Sequence, residues 1–125
     1  MTKMERTQQL RQNTEIHYNC AQAVFIPYAE EMGMSTEQAA AIAAHFGGGM
    51  RVGATCGAVT GALMALGLKG ADQKTQRDCW NEFKDQTGAM DCAQLLKLSK
   101  ERGEDKKSHC DGLVYKAVEL LEKYT

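Results

Sequence analysis

The stretch Gly47-Gly-Gly-Met-Arg-Val-Gly-Ala-Thr-Cys-Gly-Ala-Val-Thr-Gly-Ala-Leu-Met-Ala-Leu-Gly67 decides how the rest of the chain is read. Its first half, Gly47 to Gly53, is glycine-rich and can take backbone angles that a residue with a Cβ resists. Its second half, Cys56 to Leu66, carries no charge and consists of small and apolar residues. A helix without a polar face belongs inside a bundle. The stretch therefore predicts a buried Gly/Ala-rich central helix, entered from a flexible loop through Cys56, with the other helices as its wall. Thr55 reads as its N-cap and Gly67 or Gly70 as its end. Gly57 and Gly61 weaken intrinsic helicity, which points to close packing against a neighbour.

Outward from that helix the chain reads as all-α: a single compact bundle of about five to seven helices, one domain over residues 1–125. Pro27 is the only proline, and Ala, Leu, Glu, Gln, Lys and Met abound. Residues 1–17 are polar and read as a peripheral helix or a loose arm. Asn19-Cys-Ala-Gln22 has capping-box spacing. The helix it starts carries Val24, Phe25, Tyr28 and Met32 on one side, is kinked by Pro27 within it and ends at Gly33. Ser35-Thr-Glu-Gln38 is a second capping box, followed by an apolar stripe at Ala39, Ile42, Ala43 and Phe46. Asp72 caps a helix to about Gln86, with Trp80 and Phe83 inward and Gly88 as its stop. Asp91 caps a short helix bearing Cys92, Leu95 and Leu96. Residues 99–107 read as a solvated linker. Ser108-His-Cys-Asp111 is a third capping box, and Leu113, Val114, Ala117, Val118 and Leu121 form the stripe of the last helix, which reaches back to Cys110.

With 125 residues the chain is long enough for one real core. A net charge of −1 and few aromatic residues exclude a nucleic-acid surface. The longest uncharged run, Val52 to Leu68, is glycine-broken and shorter than the ~20 apolar residues of a membrane helix, so no membrane insertion is expected. No apolar signal segment opens the sequence, and a cytoplasmic location is the expectation. Five cysteines in such a setting point to redox chemistry, metal binding or plain burial rather than a disulfide framework.

Four of the five fall at predicted helix starts. Cys20 follows Asn19, Cys56 follows Thr55, Cys92 follows Asp91, and Cys110 lies two after Ser108. The first turn of a helix offers free N–H groups and a positive dipole end, which favour a thiolate. Cys79 is mid-helix beside Trp80 and reads as core. The leading expectation is thiol–disulfide redox chemistry, the work of a thiol-dependent oxidoreductase or electron carrier. One thiolate attacks and another thiol resolves. Cys56 is the candidate nucleophile, with Cys20, Cys92 or Cys110 as its partner and Arg51 as a candidate thiolate holder. The absence of Cys-x-x-Cys separates this from a thioredoxin-type site. The first alternative is zinc or an iron–sulfur cluster on the same four cysteines, with His109 as a candidate further ligand. For His109, and equally for His17 and His45, the plainer reading is a satisfied or exposed histidine. The second alternative is a small-anion or partner-binding module built on the glycine loop, with buried cysteines. Small residues along the central helix would also let two subunits approach, so a homodimer is a further expectation. No Ser/His/Asp set and no nucleotide fingerprint is present.

The pattern Asn19-Cys-Ala-Gln-Ala-Val24, then Gly-Gly-Gly-Met-Arg-Val-Gly-Ala-Thr-Cys-Gly-Ala-Val-Thr-Gly-Ala62, then Cys92-Ala-Gln-Leu-Leu96 and Cys110-Asp-Gly-Leu-Val114 resembles the redox-active protein family named for its C…GCAxxG…C…C cysteines. The resemblance covers about residues 10–122. It implies a small helical protein whose signature cysteines match Cys20, Cys56, Cys92 and Cys110, with Cys79 outside the set. It also implies an unidentified redox partner and, because members are often encoded near transport genes, a functional link to a transporter. Some relatives carry haem; the Cys-x-x-Cys-His attachment run is absent here, so haem is not carried over.

Overall fold

Capping side chains start most of the helices. The structure, a computed structural model, describes residues 1–125. It contains α1 (Lys3–Gln12), α2 (Cys20–Glu31), α3 (Thr36–Ala43), α4 (Gly57–Leu68), α5 (Gln73–Thr87), α6 (Cys92–Glu101) and α7 (Lys106–Tyr124), with a wide glycine turn, Gly49–Gly53, before α4. The only β pairing is an isolated antiparallel bridge between Thr55 and Asp91. The expected all-α bundle is thus present, and none of its helices is long and apolar enough to cross a membrane.

Both capping boxes predicted at Asn19 and Ser35 form: Asn19 Oδ1 accepts from the Gln22 N–H at 2.8 Å, and Ser35 Oγ from the Gln38 N–H at 3.1 Å. Asp72 caps α5 through the Thr75 N–H, and Gly88, at φ 94°, ends it in the left-handed region that glycine accepts.

The centre is shared by α2 and α4. Eight residues of α2 are buried, in an almost unbroken run from Ala21 to Ala29, and seven of α4 are buried. The two helices lie close because Gly61 has no side chain. A Cβ there would stand 2.7 Å from the Ala21 carbonyl oxygen and 3.1 Å from Val24 Cβ. The glycine face of α4 at Gly57 and Gly61 is therefore taken up inside the chain, by α2. Helix α7 closes the core with Val114, Ala117, Val118, Leu120 and Leu121, and α5 adds Phe83.

Residues 3–12 are an integrated helix rather than an arm. Thr2 and Glu5 form a capping box. Arg6 grips Glu30 through two bonds of 2.9 Å. Thr7 and Leu10 are buried. Thr7 has a specific partner. Pro27 lacks the N–H that would bond the carbonyl of Ala23, four residues earlier. The Thr7 hydroxyl donates to that carbonyl at 2.9 Å instead. A buried carbonyl orphaned by proline is thus satisfied from α1.

Several boundaries differ from the sequence expectation. Helix α3 ends at Ala43 and packs through Ala39 and Ala43, leaving Ile42 exposed and Phe46 half-buried beyond its end. Its last turn is tied down by polar bonds, with Gln22 donating to the Ala40 carbonyl and Asn19 to that of Ala44. Met32 is exposed, since α2 ends there. Cys56, not Thr55, holds the cap position of α4, because Thr55 is drawn into the bridge with Asp91. The linker is short: α6 runs to Glu101 and α7 starts at Lys106, capped by Asp105, which accepts from the Ser108 N–H at 2.7 Å. Ser108 is therefore inside α7, and Cys110 lies in its second turn rather than its first.

Two packing predictions follow from these contacts. Gly61→Ala lowers stability by about 1–3 kcal/mol, because the added methyl meets backbone that cannot give way. Gly67→Ala, where a Cβ meets nothing within 4 Å, raises it by about 0.5–1 kcal/mol. Denaturant melts of the two variants should move in opposite directions; a shift of the same sign in both would sink the close-approach account. Thr7→Val should cost about 1–3 kcal/mol by stranding the Ala23 carbonyl. In a Pro27→Ala background the same change should cost less, since the substituted alanine supplies its own N–H. A double-mutant cycle without that coupling would refute the pairing.

Candidate functional site

Four of the five cysteines face one cleft. Cys20 is the first residue of α2, set behind the Asn19 cap. Cys56 caps α4 and is only 2% exposed. Cys92 opens α6. Cys110 sits on α7. The Thr55–Asp91 bridge joins the segments bearing Cys56 and Cys92: the Cys56 N–H donates to the Met90 carbonyl at 2.8 Å, and the Cys92 N–H to that of Ala54 at 2.6 Å. A short antiparallel pairing, with no strand on either side, thus fixes the register of two thiols. The glycine turn lies between α3 and this bridge and runs through left-handed backbone even at Met50 and Arg51, which glycine neighbours make possible but which strains residues with a Cβ.

The cleft has a volume of about 930 Å³, and all four cysteines line it. All are free thiols. Cys79 is elsewhere, in a small apolar pocket with Trp80, Phe83 and Leu120, as its mid-helix place predicted. Trp80 itself is only half-buried.

The electrostatics of the cleft come from a residue the sequence reading did not single out. Arg11, on α1, lies beside Cys20 and Cys110 with its side chain only 5% exposed. Its guanidinium donates to Asp111 Oδ1 at 2.7 Å and to the Tyr18 carbonyl at 2.9 Å. Burial disfavours its charge, but these partners and the nearby sulfurs more than restore it. Arg51, by contrast, is exposed and does not line the cleft. The signal for Arg11 was present: Thr2-Lys-Met-Glu5 has capping-box spacing, which marks residues 3–12 as a helix rather than an arm.

Cys20 and Cys110 are neighbours in the cleft, and the ionisation of each acts on the other. Accepting from the Cys20 thiol lowers the pKa of Cys110; burial opposes this, and Arg11 and Lys106 assist it. Cys20 moves up, first because its proton is held by Cys110 and then because it is buried. Burial pushes Cys56 up to about 11, although the N–H groups of Ala58 and Val59 pull the other way without closing a capping bond. Burial also raises Cys92, with the neighbouring Cys110 adding to it.

His109 is buried in the cleft wall and His17 is exposed at its edge, while His45 is exposed and apart from it. Burial lowers the His109 pKa, with the nearby Glu104 opposing it. No three His, Cys, Asp or Glu side chains come together as a metal-holding group.

No curated protein and no solved structure matches the chain. A family profile described as "Putative redox-active protein (C_GCAxxG_C_C)" matches residues 18–124. That span holds all four cysteines of the cleft and nearly every element that positions them, and the chain belongs to that family.

Proposed function

We propose that the cleft is a thiol–disulfide redox site in which Cys110 and Cys20 are the working pair. The observation that carries this is the buried Arg11 guanidinium set beside Cys20 and Cys110 in the cleft. Four thiols lining one open cleft support the reading, and the family's description agrees with it.

The step balances with a disulfide as oxidant. The Cys110 thiolate attacks one sulfur of R–S–S–R, forming a Cys110–S–S–R bond and releasing RS⁻. Cys20 gives its proton to that RS⁻ and attacks the Cys110 sulfur. The Cys20–Cys110 disulfide forms, and the second RS⁻ leaves. Two electrons pass from the cysteine pair to the substrate. Run in reverse, the same steps oxidise a dithiol. Arg11 holds the thiolate before attack, and Asp111 keeps Arg11 in place. Cys56 and Cys92 border the pair in the same cleft, and we assign them to later exchange steps, because at neutral pH Cys56 remains a thiol. Free thiols in this number suit a reducing compartment.

Oxidation of the reduced protein with glutathione disulfide, followed by differential alkylation and mass-spectrometric mapping, should find Cys20 linked to Cys110 and Cys79 still free. Five free thiols after such treatment would end the redox reading. A second prediction concerns pH. Because Cys110 is depressed and Cys20 raised, one thiolate should appear below the ordinary thiol range, its ultraviolet absorbance rising with pH. Reactivity toward iodoacetamide should fall as pH drops through that same step. Cys110→Ser should remove the step, Arg11→Gln should move it upward, and Arg11→Lys should bring it part of the way back. If the step survives Cys110→Ser and disappears in Cys56→Ser, the nucleophile is misassigned.

A further inference from the structure

We infer that the cleft takes a small anionic disulfide, its carboxylate or phosphate groups held by Lys106 and Lys107 above the thiols. This rests on the redox reading for its chemistry but on different observations for its specificity. The lining includes Arg11, Lys106 and Lys107 and no carboxylate at all. Asp111, just outside the lining, pairs with Arg11 and with Lys107 at 3.0 Å. Counting it, two positive charges remain. Lys106 makes no ion pair, yet it lies near enough to Cys92 and Cys110 to favour both thiolates. In a chain whose net charge is −1, this is a local concentration of one sign. Walls of low dielectric focus such a field into the cleft.

Size and depth favour a small molecule over a protein partner. A volume of about 930 Å³ is at the upper end for small-ligand clefts. The sulfurs are recessed, with Cys56 buried and the other three half-buried, so a disulfide on a folded surface cannot readily reach them. Leu96 and Leu113 add apolar lining that suits the carbon chain of a small thiol, and Asn13 and Thr14 add neutral polar groups. The positive side chains and the sulfurs together match a molecule with a central S–S bond and negatively charged ends.

The test compares three small symmetric disulfides of different charge: dithiodipropionate, a dianion; hydroxyethyl disulfide, neutral; and cystamine, a dication. The rate of Cys20–Cys110 oxidation is measured for each on the full chain at low salt, relative to the rate of each with free mercaptoethanol. The dianion should exceed the neutral compound by about tenfold, and cystamine should fall below it. Added salt should shrink the spread. The Lys106→Gln/Lys107→Gln variant should lose most of the dianion-to-neutral ratio, a ratio that divides out any change in Cys110 acidity. Suberate, an unreactive dicarboxylate of matching length, should raise the Tm of the parent chain and not of the variant. Equal normalised rates for all three disulfides, with no effect of suberate, would overturn the anion assignment and leave the redox site standing. Failure of every disulfide to oxidise the pair, with the suberate shift intact, would overturn the redox chemistry and leave an anion-binding cleft. Failure of both would remove both.

Discussion

The close approach of α2 and α4 is the constraint from which the site follows. At Gly61 the two backbones nearly touch, and at Gly57 a Cβ would come within 3.2 Å of both Cys20 Cβ and the Ala21 nitrogen. Because the two helices begin at the same level, their first thiols are brought to the same end of the bundle. A larger residue at either glycine would push the helices apart and separate Cys20 from Cys56. The packing that builds the core is thus the packing that gathers the sulfurs. The bridge between Thr55 and Asp91 then brings α6 and Cys92 to the same end, through backbone bonds that no side chain contributes to.

Arg11 completes the arrangement from the opposite side. A guanidinium as buried as this one needs a carboxylate partner, because removing the partner of a buried charge costs about 3–5 kcal/mol. Asp111 supplies it and lies next to Cys110 in the same turn of α7. One ion pair therefore does two things. It fastens α1 to α7, and it places a permanent positive charge against a thiol. The Thr7 bond to the carbonyl freed by Pro27 holds the middle of α1 against α2, so that Arg11, one turn further on, reaches the cleft.

Much of this was legible in the sequence, and the part that was not has physical causes. The helix class, the buried Gly/Ala helix, two capping boxes and the Asp72 cap all rest on local spacing, and they appear as read. The four cysteines do come together around one cleft, and Cys79 does not. Errors fell where two local signals competed. Asp105 and Ser108 are both good caps, and only the fold decides that Asp105 starts α7. Thr55 has the chemistry of a cap but is claimed by a cross-chain bridge that no short window contains. Ile42 and Phe46 fit an apolar stripe, yet α3 is so short that its alanines suffice for packing. Arg11 depends on a contact with Asp111, one hundred residues away, and nothing local to either residue announces that pairing.

The sequence also suggested that a helix N-terminus is where a cysteine becomes acidic, and the magnitudes weigh against that rule at Cys56. A favourable helix dipole contributes about 0.3–1 kcal/mol at an exposed terminus. Raising the Cys56 thiol from its ordinary value to about 11 corresponds to about 3 kcal/mol against the thiolate. Burial wins at Cys56 because the feature that makes α4 a good core helix, its lack of any polar face, also removes the water a thiolate needs. Cys110 escapes this because it is less deeply set and has the Cys20 thiol, Arg11 and Lys106 nearby. In the redox site proposed above, the acidic sulfur is the one with charged neighbours, and the helix starts bring the others within reach.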